Sequence, residues 1–125
     1  MSLERVNISG NVFGVAFDNS NNGAGINATI ADSNISNNKL DGIVATTPAG
    51  GAPIGVLVTN TKTVNNGYGI RSMGPNVTVR VKSSDVTGNG IGLSFSGGGA
   101  LLTFGNSAVR ANASDGAFSG PVALQ

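Results

Sequence analysis

Apolar residues recur at every second position in short runs separated by Asn, Gly and Ser. One series reads Ile26/Ala28/Ile30, then Ile54/Val56/Val58, Val77/Val79/Val81 and Ala100/Leu102/Phe104. A second reads Phe13/Val15/Phe17, Leu40/Ile43/Ala45, Tyr68/Ile70/Ser72 and Ile91/Leu93/Phe95. Period-two alternation marks pleated strands with one buried face. Ala, Leu, Glu and Lys never form a stripe at helical spacing. The pattern predicts strands throughout.

The strands belong to a repeat. Asn11, Asn38, Asn66, Asn89 and Asn112 are 27, 28, 23 and 23 residues apart. Each is followed within three or four residues by a glycine, namely Gly14, Gly42, Gly69, Gly92 and Gly116. Three residues before each asparagine stand Ile8, Ile35, Thr63, Val86 and Val109, which mark a third, short strand. A unit of three short strands cannot bury its inward face alone. Stacked on copies of itself it can, with like strands pairing in parallel at roughly 4.8 Å per coil. The expected fold is all-β: a right-handed parallel β-helix of about five coils, the hand following the general preference of parallel crossovers. One domain spans residues 1–125, with the last coil and a cap over 104–125, where Ser114 and Ser119 break the apolar column. The five repeated asparagines are expected at one corner. There Asn tolerates left-handed backbone, and stacked amides can hydrogen-bond from coil to coil.

The run Val79-Arg80-Val81, Ser84, Val86, Gly88-Asn89 and Gly92-Leu93 resembles the repeats of right-handed parallel β-helix proteins of the pectate-lyase-like superfamily. The closing stretch, Phe104-Gly105-Asn106 through Asn112, Gly116-Ala117-Phe118 and Val122-Ala123-Leu124-Gln125, is similar to the C-terminal end of bacterial β-helix proteins of uncharacterised function. The resemblance implies a fold rather than an activity, since that superfamily holds lyases, hydrolases, phage tailspikes and non-catalytic modules. It also implies a secreted or cell-surface protein, and usually more coils with an N-terminal cap. Here the first strand offers only Met1 and Leu3 before the first anchor. An uncapped first coil, as in the C-terminal part of a longer protein, is therefore expected, and an open strand edge promotes association.

Composition narrows the chemistry. The 125 residues include 20 Gly and, by count, 16 Asn, a turn-rich alphabet, and no Cys or His. Disulfides, thiolate nucleophiles, structural zinc and His-dependent triads are excluded. Net charge is +1 with only 10% charged residues, which gives no footprint for nucleic acid or an anionic membrane. No apolar run approaches the roughly 20 residues of a membrane helix. No cofactor is expected.

Two corners carry longer loops, Asp18 to Gly25 and Thr46 to Pro53, against four residues at each of the next two. They leave the same corner on adjacent coils, and insertions on one face of a solenoid can mark a binding face. Asp18, Asn19, Asn21, Asn22, Thr46 and Thr47 are the candidate ligand residues for a polysaccharide, although the loops hold no aromatic platform. Asp18-Asn19-Ser20-Asn21-Asn22-Gly23 loosely echoes a calcium loop, but position three is Ser and position twelve is Thr29. Elsewhere the charges read as solvated. Asp41 and Asp115 stand equivalently before repeat glycines, but three coils and roughly 14 Å apart, too far for a glycosidase pair. Asp85 with Lys62, and Arg5 with Asp32, read as surface cross-strand ion pairs. Arg71, Arg80, Lys82 and Arg110 fall in four different columns. The sequons at Asn7, Asn27, Asn34, Asn76 and Asn112 follow from composition. Gly97-Gly98-Gly99 precedes a strand and is no phosphate loop.

Three functions follow as expectations. The first is a non-catalytic structural or interaction module, self-associating as a homo-oligomer through its first coil. The second is a polysaccharide-binding module using the corner loops. The third is the remnant of a carbohydrate-active enzyme with its catalytic residues upstream of Met1. No catalytic, metal or cofactor residue is assigned.

Overall fold

The computed structural model of the chain describes residues 1–19 and 23–122; Asn21 and Asn22 of the first corner loop, and 123–125, lie outside the described residues. Among the described residues there are fifteen strands and no helix. The first coil holds β1 (Ser2–Glu4), β2 (Asn7–Ser9) and β3 (Phe13–Asp18), the second β4 (Ile26–Ala31), β5 (Asn34–Ser36) and β6 (Asp41–Thr46). The third holds β7 (Ile54–Thr59), β8 (Lys62–Val64) and β9 (Tyr68–Met73), the fourth β10 (Val77–Lys82), β11 (Asp85–Thr87) and β12 (Ile91–Ser96). Then come β13 (Ala100–Thr103), β14 (Ala108–Arg110) and β15 (Gly120–Pro121).

Like strands lie over like strands in three parallel sheets, ordered β1-β4-β7-β10-β13-β15, β2-β5-β8-β11-β14 and β3-β6-β9-β12. This is a parallel β-solenoid with three strands per coil. Among the described residues four turns are complete, one fewer than the five anchors suggest. After Asn112 the chain has no alternating apolar run, so the fifth coil's third strand shrinks to a single bridge, Ile91 to Ser114.

The core is a set of one-residue-wide columns. Leu3, Ile30, Val58, Val81 and Thr103 stack in the first sheet, and Ile8, Ile35, Thr63, Val86 and Val109 in the second. Ile30, Val58, Val81, Ile35 and Val86 have no exposed surface. Polar residues enter the core on different terms, as Ser72 of the third sheet and Thr63 of the second show. Ser72 donates its hydroxyl to the Ala100 carbonyl at 2.9 Å. Thr63, sealed between Ile35 and Val86, has a buried hydroxyl oxygen with no partner. Thr63→Val keeps the shape and removes an unmatched polar group. It is expected to raise stability by about 1 kcal/mol, read as a higher urea midpoint with unchanged slope.

Two details of the expected alternation are corrected. In the third sheet Phe13, Asp41, Tyr68 and Ile91 are register partners, so Asp41 and not Leu40 occupies that column. The glycine that follows each of them is turned inward: a Cβ on Gly42 would meet Asn66 Nδ2 at 2.8 Å and the Gly69 carbonyl at 2.8 Å. Ile43, next in line, also faces the core. Two successive inward residues shift the alternation by one step, so Phe13, Asp41, Tyr68 and Ile91 stand on the outer face. In β13 the partner of Val79 is Leu101, so Ala100, Leu102 and Phe104 are not the inward set. The corner before β13 is one residue shorter than its predecessor, and Phe104-Gly105 restores the count before β14. Leu101 is sealed, while Phe104 is 41% exposed beside Lys82.

Candidate functional site

The repeated corner between second and third sheets divides two duties that the sequence reading assigned to one residue. Gly10, Asn37, Asn65, Gly88 and Ala111, each directly before an anchor, carry the left-handed backbone. The anchors themselves form a directional amide run. Asn38 donates N–H and Nδ2–H to Asn66 Oδ1 at 3.0 and 2.9 Å. Asn66 does the same to Asn89 at 2.8 and 3.1 Å, and Asn89 to Asn112 at 2.8 and 3.0 Å. The run closes on Asp115, whose Oδ1 takes both donors of Asn112 at 3.2 and 2.9 Å. Asp115 is thus not the equivalent of Asp41, since Ser114 fills that register position. Asn11 joins only through its N–H, 3.1 Å from Asn38 Oδ1, while its Nδ2 turns to the Ser9 carbonyl at 3.1 Å. At the preceding corner Ser33, Thr61 and Ser84 are buried, and the Ser33 and Ser84 hydroxyls accept the N–H groups of Val6 and Thr61. This second row was missed by sequence reasoning, although Ser33, Thr61, Ser84 and Ser107 each stand two residues before the short-strand positions Ile35, Thr63, Val86 and Val109.

The corner loops are fastened from within. Asn19 is 1% exposed, and its Nδ2 donates to the carbonyls of Ala24 and Ala52 at 3.1 and 2.9 Å, tying the two loops together. Its Oδ1 is buried with no partner. Thr47 is buried, and its hydroxyl donates to the Pro75 carbonyl. Thr46 is half-buried, its carbonyl accepting from the Asn19 N–H at 3.3 Å, and Asp18 is exposed. The Asn19 amide therefore bridges the two loops, and the Thr47 hydroxyl ties the second loop to the corner of the next coil.

The charges group differently from the expected pattern. Lys62 and Asp85 are register neighbours without an ion pair. Arg5 instead meets Glu4 at 3.7 Å, and Asp32 accepts Asn60 Nδ2 at 2.7 Å. Arg80 lines a shallow depression of about 380 Å³ on the outer face of the first sheet, floored by Gly55. The strongest pair lies where solvated charges were expected. Arg71 Nη2 reaches Asp41 Oδ2 at 2.6 Å, with the guanidinium 4.2 Å from the centre of the Tyr68 ring. Arg71 alternates with buried Ile70 and Ser72, so this cluster sits on the outer face of the third sheet. Asp41 nevertheless has no exposed surface, and its Oδ1 and Arg71 Nε are both buried without partners. Burial pushes the Asp41 carboxyl above the ordinary carboxylate range, against the hydrogen bond and charge of Arg71. In register Asp41 is the lone acid in a column of Phe13, Tyr68 and Ile91, a placement that the alternation along the sequence assigned to Leu40.

No family model, no curated protein and no solved structure matches the chain. Its chemistry must be read from its own geometry. Among the described residues no group of three or more Asp or Glu could hold a metal ion. What stands out is the difference between the two ends of the stack. At the far end Gly92 and Leu93 donate to the carbonyls of Ser114 and Asp115 at 2.8 and 3.0 Å, and Phe118 packs on the core. At the near end β1, β2 and β3 are all outermost strands among the described residues. Leu3 and Ile8 are half-buried there, whereas Ile30 and Ile35 below them are sealed. Val12, Phe13 and Leu40, all more than 40% exposed, adjoin that end.

Proposed function

We propose that this protein is a non-catalytic structural and interaction module whose working surface is its first coil, which docks a further β-coil. The asymmetry of the ends carries the reading: among the described residues, three outermost parallel strands over a half-covered apolar column at one end, a closing segment at the other. Unpaired edges of this kind recruit strands. Within the parallel β-solenoids, the repeat resembles the pectate-lyase-like superfamily, and membership is part of the proposal.

Self-association is the form of docking open to the chain on its own. Light scattering on a sizing column should give a mass that climbs from monomer to dimer across a concentration series. Leu3→Lys combined with Ile8→Lys places two charges on the open column and should return the protein to monomer. A monomer at every concentration, or association untouched by the double substitution, would count against homotypic docking.

A further inference from the structure

Resting on that docking reading, the direction of the asparagine run selects the partner. From Asn38 to Asn89 every anchor gives its backbone N–H and one Nδ2 hydrogen to the Oδ1 of the next, so the amide-to-amide bonds all run toward the C-terminal end. Asn66, Asn89 and Asn112 also return an Nδ2 hydrogen to a carbonyl of the coil before. Asp115 carries only acceptors at this position and ends the run. At the open end the last acceptor is unfilled: among the described residues Asn11 Oδ1 receives no donor. The backbone of the edge agrees. In a parallel pair alternate residues aim both backbone groups at the same neighbour. Met1 and Arg5 are bonded to the second coil, as are Val6 and Gly10. Ser2, Glu4, Asn7 and Ser9 therefore present their backbone groups to the open side.

We infer that the first coil is built to receive a parallel β-coil running in the same sense, one that sets an asparagine-type N–H and amide donor over Asn11 Oδ1 and apolar residues over Leu3 and Ile8. A second copy docked head to head runs its strands in the opposite sense, and the Asn11 amide it brings is already given to its own Ser9 carbonyl. A second copy docked head to tail meets the Asp115 terminus, which has no donor to give. The fitting partner is a same-sense coil from another polypeptide segment, and homotypic pairing is a weaker substitute.

The register defines the probe. Ser2 follows the column Thr29, Leu57, Arg80 and Leu102, so Met1 corresponds to Leu101. A copy of residues 77–100 placed directly before Met1 would thus set its Val81, Val86 and Asn89 over Leu3, Ile8 and Asn11. In this extended chain, hydrogen exchange at the amides of Ser2, Glu4, Asn7 and Ser9 should slow by about tenfold or more. Asn11→Ala should abolish most of that protection in the extended chain. In the unextended chain the same substitution should leave exchange and unfolding midpoint nearly unchanged. Protection that survives Asn11→Ala would overturn the inference while leaving docking intact. Four amides that still exchange freely under the added coil, in a chain that also stays monomeric, would overturn docking itself.

Discussion

Asn66→Ala is expected to cost about 4 kcal/mol of stability, a large share of what holds a small domain together. Asn66 is 4% exposed and makes four side-chain bonds. Its Oδ1 takes the N–H and Nδ2–H of Asn38, and its Nδ2 donates to the Ile35 carbonyl at 3.1 Å and to Asn89 Oδ1. Alanine leaves two buried donors and a buried carbonyl unmatched, each worth about 1–3 kcal/mol, partly recovered by relaxation. Asn89 Oδ1 keeps the Asn66 backbone N–H, which limits the damage on that side. Asn11→Ala is the internal comparison, since its exposed side chain makes a single bond to Ser9. Urea denaturation of both variants measures the contrast. A loss at Asn66 below about 1 kcal/mol would mean that the amide run contributes little to stability.

Arg71→Ala should cost about 3 kcal/mol near neutral pH, and less as the solution is acidified. The substitution leaves the Asp41 carboxylate sealed and without its counter-charge. The value sits at the low end for a broken buried pair because the Arg71 side chain keeps 23% of its surface. Burial already raises the Asp41 carboxyl above its unfolded value, with Arg71 pulling the other way. A raised acid binds its proton more tightly in the folded state. Its contribution is therefore fully favourable below the unfolded pKa and is lost as pH rises through the folded one. Without Arg71 the folded value moves further up, so the deficit of the variant is widest at neutral pH and closes as Asp41 takes a proton. Paired denaturation curves at neutral and acid pH test this. A deficit independent of pH would place the contribution of Arg71 in its stacking on Tyr68 rather than in its charge.

Much of the architecture was legible because a solenoid writes its contacts into a repeat. Ile30, Val58 and Val81 are about one coil apart in sequence, and the columns they form in space are the columns seen on alignment. The errors arose where local geometry departs from plain alternation. An inward glycine after Phe13, Asp41, Tyr68 and Ile91 turns a predicted core column into an outer face. A corner shortened by one residue moves Leu101 into the core in place of Leu102, because a one-residue slip exchanges the two faces of a strand. Asp41 and Arg71 looked solvated because they are 30 residues apart and occupy different columns. Only the outward shift at Gly42 and the reach of the guanidinium bring them together.

The sequence by itself determined the period, the strand-only composition, the stacked parallel sheets and the corner asparagines. Each of these depends on residue type and on interactions repeated at one spacing. Tertiary structure alone decided which faces are inward at the irregular steps, and that Asp41 is sealed and paired. It also decided that Asn19 and Thr47 are buried, and that the amide run closes on Asp115 while opening at Asn11. These outcomes depend on a side chain's reach across coils and on hydrogen-bond direction. Neither is carried by the order of hydrophobic and polar residues along the chain.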